Sequence, residues 1–166
     1  MCGIVGIYLK TKKFEKNLGK MLSGMLNNME SRGPDSAGFA IYKEENEKNY
    51  KYSLCLNKLN FNDFKKEISN KLIKSQINQF SDHVILKTFE KPNKVIDIIN
   101  LNFPKVSIVG YGKSIEIFKQ VGNPKDVVKK FNLESFCGTH GIGHTRMATE
   151  SAITTDGSPP YSTGED

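Results

Sequence analysis

The second residue of the chain, Cys2, carries a thiol that can become an amino-terminal nucleophile once Met1 is removed. Processing would leave a thiol and a free α-amino group on one residue, so the nucleophile and its base need no second side chain. An α-amino group has an ordinary pKa of about 7.7–8.0 and a thiol one of about 8.5, so both exchange protons near neutral pH. This end of the chain therefore predicts covalent catalysis. The structural alternative is a small apolar residue that opens an edge strand.

Two later segments, residues 31–38 and 143–150, concentrate glycine, hydroxyl and charged side chains. Glycines allow a backbone to approach a ligand closely. An arginine such as Arg146 offers a planar fork that matches a carboxylate. A thiol, a guanidinium and hydroxyls together suit an amino-acid substrate with an α-carboxylate.

Hydrophobic spacing predicts the elements that must position these segments. Strands are expected over 1–9, 38–42, 52–56, 83–89, 106–109, 115–121 and 141–147, and helices over 14–30, 62–74 and 124–131. The first helix ends at Gly33-Pro34, and Asn62 or Asp63 is the expected cap of the second. This mixture predicts an α+β protein.

Composition narrows the class of protein. The 166 residues suffice for one domain with a substantial core. The formal charge of +6 comes from scattered lysines, with arginine only at Arg32 and Arg146, which argues against nucleic-acid binding. No apolar run is long enough to span a bilayer, and the start lacks the features of a signal peptide. Three widely spaced cysteines do not suggest a disulfide framework, so a reducing cytoplasm is expected.

An MCGIVGI start, an RGPDSAG segment and a GHTRMAT segment, in that order, resemble the class II glutamine amidotransferases. The resemblance implies the four-layered αββα fold of N-terminal-nucleophile hydrolases. The HTRMATESAITTDGSPPYSTG stretch and the long segment between Gly38 and Gly143 are most similar to glutaminase modules of glutamate-synthase type. The resemblance further implies that residues 1–166 are the N-terminal portion of a single glutaminase domain, truncated at the C-terminus. The oxyanion-hole residues would then lie beyond Asp166, and the chain alone would have little activity.

Site roles follow from the resemblance residue by residue. Cys2 would be the catalytic nucleophile, Arg146 would pair with the α-carboxylate of glutamine, and Thr149 would help to hold that end. The residues expected to organise the loop around the nucleophile are Arg32, Gly33, Asp35, Ser36 and Gly38. From the residues alone, the alternative for Arg146 is an ion pair with Glu150 or Asp35, although contact with the ligand is favoured. Asp35 and Arg32 could equally form a buried ion pair. Met147 stands where many relatives have tryptophan, which predicts a softer pocket wall.

The resemblance also predicts the partners. Glutamine is the expected substrate, and an ammonia-consuming synthase domain or subunit is the expected acceptor. If that synthase is of glutamate-synthase type, its flavin and iron–sulfur centres belong to the partner. The chain has no CxxC run and no dinucleotide-binding glycine loop, so it is expected to hold no cofactor or metal.

Two alternatives remain open at the level of sequence. Cys137, His140 and His144 approach a zinc-ligand spacing, with Cys2 or Cys55 as a possible fourth ligand, although their segment is glycine-rich and strand-like. The second alternative is a non-catalytic scaffold that docks a synthase partner. We expect His144 to be a packed strand histidine and not the general base. His83, in an apolar strand, is expected to be non-catalytic.

Overall fold

The computed structural model describes residues 2–44, 48–148 and 154–162, which form two compact units. The first unit contains the described residues up to 44 and those from 117 to 161. The second contains the described residues from 48 to 116, together with Ser162. The architecture is α+β, which confirms the predicted fold class. The four-layered arrangement, the single glutaminase domain and its truncation remain predictions.

Eight strands and four α-helices are found in the described residues. The strands are β1 Gly3–Tyr8, β2 Ser36–Tyr42, β3 Tyr50–Cys55, β4 Gln76–Phe80, β5 His83–Thr88, β6 Ser107–Gly112, β7 Ile115–Val121 and β8 His140–Arg146. The helices are α1 Leu18–Asn27, α2 Phe61–Lys71, α3 Pro92–Asn102 and α4 Pro124–Phe131. The boundary between the units falls within β7, after Glu116.

The sheet of the first unit has the strand order β1-β8-β2-β7. Strand β8, the last of the described strands, pairs antiparallel with both β1 and β2. One face of the sheet packs on helix α1, whose Leu18, Leu22 and Leu26 are fully buried at helical spacing. An added Cβ at Gly143 would lie 2.9 Å from Val5 Cγ2 and 3.0 Å from Leu26 Cδ1. This glycine of β8 therefore serves helix–sheet packing.

The sheet of the second unit has the order β4-β5-β3-β6, with β3 antiparallel to both β5 and β6. Its hydrophobic core combines alternating residues of the strands with the apolar faces of α2 and α3. The buried members are Tyr52, Leu54, Leu56, Phe64, Ile68, Leu72, Val84, Leu86, Val95, Ile99, Phe103 and Val106. Phe64 of α2 and Phe103, just after α3, meet edge to face at 4.9 Å between ring centroids. Each unit therefore has apolar packing of its own.

Several predicted elements differ from the structure. Helix α1 is shorter than the helix predicted over 14–30. It begins only at Leu18, because residues Lys12–Asn17 form a 3₁₀ helix before it. Helix α2 is capped by Asn60, whose side chain accepts from the backbone N–H groups of Asn62 at 2.8 Å and Asp63 at 3.3 Å. The prediction of Asn62 or Asp63 as the cap was wrong. Strand β4 and helix α3 were not predicted at all.

Candidate functional site

The three segments singled out in the sequence meet at one end of the first unit's sheet. Gly3 of β1 lies opposite Thr145 of β8, and Ala37 of β2 lies opposite the same threonine on the other side. Cys2 directly precedes Gly3, and Arg146 directly follows Thr145. The register therefore brings the candidate nucleophile and the candidate carboxylate-binding arginine to neighbouring strand ends.

The two faces of this sheet end are different. An added Cβ at Gly3 would lie 3.1 Å from Met29 Sδ and 3.2 Å from Arg32 Cβ, so the face toward the α1–β2 connection is closely covered. Alternation along the strand places Arg146 on the opposite face from Thr145. Cys2 is exposed and Arg146 is half-buried, so a small molecule can reach this end of the sheet.

Arg146 is held by the segment that follows it in the chain. Its Nη1 donates a hydrogen bond to the carbonyl oxygen of Gly157. The turn that presents this oxygen is itself ordered, since Gly157 N–H donates to Thr154 Oγ1 at 3.0 Å and the Ser158 hydroxyl donates to Thr154 O at 2.7 Å. A planar guanidinium has five donors in a fixed fork, a geometry that matches a carboxylate.

Asp35 fixes the backbone at Arg146 and two residues beyond it. Its Oδ2 accepts from Ala148 N–H at 2.7 Å, and its own N–H donates to Arg146 O at 3.1 Å. Its carbonyl accepts from Gly122 N–H at 2.8 Å. The carboxylate oxygen thus bonds a backbone amide just beyond β8. This geometry supports the loop-organising role assigned to Asp35, which remains a prediction.

The two glycines of the RGPDSAG segment lie where a side chain has no room. An added Cβ at Gly33 would be 2.5 Å from Arg146 N, and one at Gly38 would be 2.3 Å from Pro159 O. Contacts below about 3 Å with backbone atoms cannot be relieved by a side-chain rotation. Gly33 therefore allows the 33–35 loop to lie against the end of β8, as Gly38 allows residue 159 to lie against β2.

Ser36 and Arg32 complete this segment. Ser36 lies opposite Arg146 in the β2–β8 pair and is fully buried. Its hydroxyl makes no hydrogen bond to any residue in the described part of the chain. Arg32 is exposed at the end of a short 3₁₀ turn, Glu30–Arg32. The structure brings both next to β8 but does not assign either of them a chemical role.

Two predicted features lie at the margin of the described residues. Thr149, the second predicted substrate-binding residue, lies outside them, as does Glu150, the alternative partner of Arg146. Met147 is described and is 43% exposed. Its exposure next to Arg146 is compatible with the predicted softer pocket wall.

Partial burial changes the pKa of the two histidines in β8. Burial lowers the pKa of His144 and of His140 below the ordinary 6.5 for this side chain. His140 stacks on Tyr42 with 4.2 Å between ring centroids. Burial therefore favours the neutral form of both histidines. His144 lies in the strand as predicted, opposite Ile4 and Gly38.

The geometry of β8 excludes one zinc ion shared by His140 and His144. Four residues along a strand span about 13 Å, whereas zinc holds imidazole nitrogens at about 2.0–2.1 Å. Cys137 is exposed and precedes the strand. The Cys137-His140-His144 zinc site considered from the sequence is therefore not formed.

Two surface depressions are lined by residues other than Cys2 and Arg146. A depression of about 220 Å³ in the second unit is lined by residues of α2 and of the chain around Phe103. A shallow polar one of about 390 Å³ in the first unit lies around Glu30 and Lys125. Among the described helices, none has the length and apolar character that a bilayer crossing requires.

This chain is similar to two proteins whose names describe them as glutamine amidotransferases or as glutamine amidotransferase-like. It is 44% identical over 169 residues to the glutamine amidotransferase-like protein GlxB of Rhizobium meliloti (strain 1021), with 100% of the chain and 56% of the relative aligned. It is 33% identical over 170 residues to a putative glutamine amidotransferase of Methanothermobacter thermautotrophicus, covering 92% of the chain and 54% of the relative. The chain thus spans just over half the length of both. No protein-family model matches it.

Proposed function

We propose that this chain is a class II glutamine amidotransferase module, an N-terminal-nucleophile hydrolase that releases ammonia from glutamine. The observation that carries the proposal is the register of β8 with β1 and β2, which brings Cys2, Arg146 and the RGPDSAG segment to one end of a sheet. The likeness to proteins named as glutamine amidotransferases supports the same reaction class.

In the proposed reaction, removal of Met1 exposes the α-amino group of Cys2. This amine takes the thiol proton, and the thiolate attacks the side-chain carboxamide carbon of glutamine. The amine then returns the proton to the leaving nitrogen, so that ammonia departs and a γ-glutamyl thioester remains. Water adds to the thioester, glutamate leaves, and the thiol is restored. Every proton moves through a group that belongs to Cys2 or to water.

Glutamine is recognised at its α-carboxylate end, which is opposite the carboxamide that reacts. Arg146 pairs with the α-carboxylate through its guanidinium, and Thr149 contacts the same end. Arg146 Nη1 donates to Gly157 O, and Arg146 O accepts from Asp35 N–H; these two bonds restrict the position of Arg146 before substrate binds. Pre-organisation of this kind lowers the ordering cost of binding.

The proposed partner is a synthase domain or subunit that consumes ammonia, of glutamate-synthase type. Ammonia in water is protonated and diluted, so a glutaminase that feeds a synthesis benefits from a closely associated acceptor. We propose no cofactor for the glutaminase chemistry itself, because thiol addition and thioester hydrolysis require no redox group.

The test is covalent labelling, because it needs only the first chemical step. The intact mass of the purified chain reports whether Met1 is removed. A glutamine-like diazoketone, 6-diazo-5-oxo-L-norleucine, should then add once, and peptide mapping should place the adduct on Cys2. Glutamine should slow the labelling, and Arg146→Ala should raise the glutamine concentration needed for protection.

The matched control is Cys137→Ala, which removes the other exposed thiol and should leave labelling unchanged. Cys2→Ala should abolish it. A chain that retains Met1, or one labelled equally at Cys137 and without protection by glutamine, contradicts the proposal. The scaffold alternative predicts a processed terminus that the diazoketone does not label.

A further inference from the structure

A cluster of thiol, imidazole and carboxylate groups lies in the second unit, apart from the residues assigned to glutamine chemistry. Cys55 at the end of β3 and His83 at the start of β5 are directly opposite each other in the antiparallel pair. Directly paired residues project to the same face of a sheet. Asp82 precedes His83, and one ligand atom from each of the three residues lies within 4.8 Å of the others.

The cluster is largely buried and already oriented. Cys55 is 1% exposed and His83 is fully buried, whereas the side chain of Asp82 is 36% exposed. His83 Nδ1 lies 3.0 Å from Asp82 Oδ1. The backbone also fixes the turn, because Leu56 N–H donates to Asp82 O at 2.9 Å.

A fourth polar atom faces the thiol from the chain after β3. The Cys55 thiol donates to Asn57 Oδ1 at 3.2 Å. The amide group of Asn57 cannot turn freely, because its Nδ2 donates to Lys105 O at 2.9 Å and to Ser107 Oγ at 2.8 Å. The oxygen of Asn57 is therefore held toward the sulfur.

We propose that Cys55, Asp82 and His83 bind a thiophilic divalent cation, with Zn²⁺ as the best chemical match. Sulfur, imidazole nitrogen and carboxylate oxygen are the ligands that zinc takes, at about 2.0–2.3 Å. Around a tetrahedral ion, such bonds separate the ligand atoms by about 3.3–3.8 Å. The three ligand atoms lie within 4.8 Å of one another, so they would draw together to this spacing around the ion, and Asn57 Oδ1 or water would complete the tetrahedron.

Charge balance favours a divalent ion in this place. A Cys55 thiolate and an Asp82 carboxylate together carry two negative charges, which one dication neutralises. Binding therefore releases the thiol proton and leaves no net charge in a buried environment. Burial of the sulfur blocks the approach of a carbon electrophile, whereas an ion can enter past the partly exposed Asp82 and the exposed Asn57.

This proposal departs from the expectation that the chain holds no metal, and it gives His83 a role that the sequence did not suggest. It concerns the second unit and does not depend on the reaction proposed for Cys2. Either proposal can therefore fail while the other stands.

Cobalt substitution tests the site in the complete chain. Co²⁺ added to metal-free protein should bind at one equivalent, with a thiolate-to-cobalt charge-transfer band and the intense visible bands of tetrahedral coordination. Zn²⁺ should displace the cobalt, so that the charge-transfer band and the visible bands both disappear. Cys55→Ala should lose the charge-transfer band, whereas the matched thiol variants Cys2→Ala and Cys137→Ala should retain it. Asp82→Asn should weaken binding by at least about 10–100-fold.

Circular dichroism establishes whether each variant folds. If Cys55→Ala does not fold, Asp82→Asn carries the test, because the Asp82 side chain is partly exposed. The proposal is overturned if the wild-type chain binds no cobalt or binds it without a thiolate band. Persistence of the band in folded Cys55→Ala also overturns it, as does equal affinity of Asp82→Asn and wild type.

Discussion

Replacement of Gly33 by alanine tests whether the end of β8 depends on close approach of the 33–35 loop. Gly33 has a φ of −166°, an extended backbone that alanine adopts without strain. The added methyl would nevertheless lie 2.5 Å from Arg146 N and 2.7 Å from Thr145 C. Ordinary carbon contacts are about 3.5–4.0 Å, so the loop must move by about 1 Å or more.

The cost can be worked from these contacts. Overpacking against backbone typically costs about 1–3 kcal/mol. Displacement also weakens the 3.1 Å bond from Asp35 N–H to Arg146 O, which adds about 0.5–1.5 kcal/mol. The free energy of unfolding of the first unit should therefore fall by about 2–4 kcal/mol. With a urea m-value of about 2 kcal/mol/M, the midpoint falls by about 1–2 M.

The assay is urea unfolding followed by circular dichroism, with diazoketone labelling of Cys2 on the folded variant. Gly24→Ala is the matched control, since an added Cβ there has no atom within 4 Å and the residue lies in helix α1. It should stabilise by about 0.5–1 kcal/mol through helix propensity. If Gly33→Ala unfolds at the wild-type midpoint and labels normally, the packing argument for this loop is refuted.

Three further predictions concern the free energy of unfolding, two from side-chain hydrogen bonds and one from the burial of a histidine. Asp35→Ala removes the acceptor of Ala148 N–H and should cost about 1.5–3 kcal/mol in urea unfolding, with partial recovery in Asp35→Asn. Burial lowers the pKa of His144 below 6.5, so the folded state binds fewer protons than the unfolded one and stability is lost as pH falls below that value. His144→Gln should flatten the dependence of the free energy of unfolding on pH in this range. An unchanged dependence would contradict a lowered pKa for His144. Asn60→Ala should destabilise by about 1 kcal/mol through loss of the α2 cap, whereas Asn62→Ala should not.

The elements that sequence predicted well carry their signals locally. Helix α4 has the predicted bounds, Pro124–Phe131, because proline suits the first helical turn and Asn123 caps it through Lys125 N–H. Strand β7 also has the predicted bounds, Ile115–Val121. In both segments the apolar positions follow one period, so no distant partner is needed to recognise them.

The elements that sequence missed lack such a signal. Helix α3 is rich in β-branched residues, and its short apolar run fits a helix or a strand equally. Strand β4 is an edge strand of five mostly exposed residues, stabilised by pairing with β5. Three nearby polar residues could cap α2. Asn60 does so because its backbone is extended just before the helix and its side chain accepts from the first helical N–H groups.

The sequence by itself determined the α+β class, the candidate reactive groups and their order along the chain. Tertiary structure decided which of those groups are neighbours. Strand β8 pairs with β1 on one side and β2 on the other, which joins residues from opposite ends of the chain. The pairing of β3 with β5 likewise places Cys55 opposite His83, a juxtaposition that no sequence spacing indicates. The physical reason is that strand partners and register are selected by long-range burial of whole sheet faces, whereas periodicity specifies only which face of one strand is apolar.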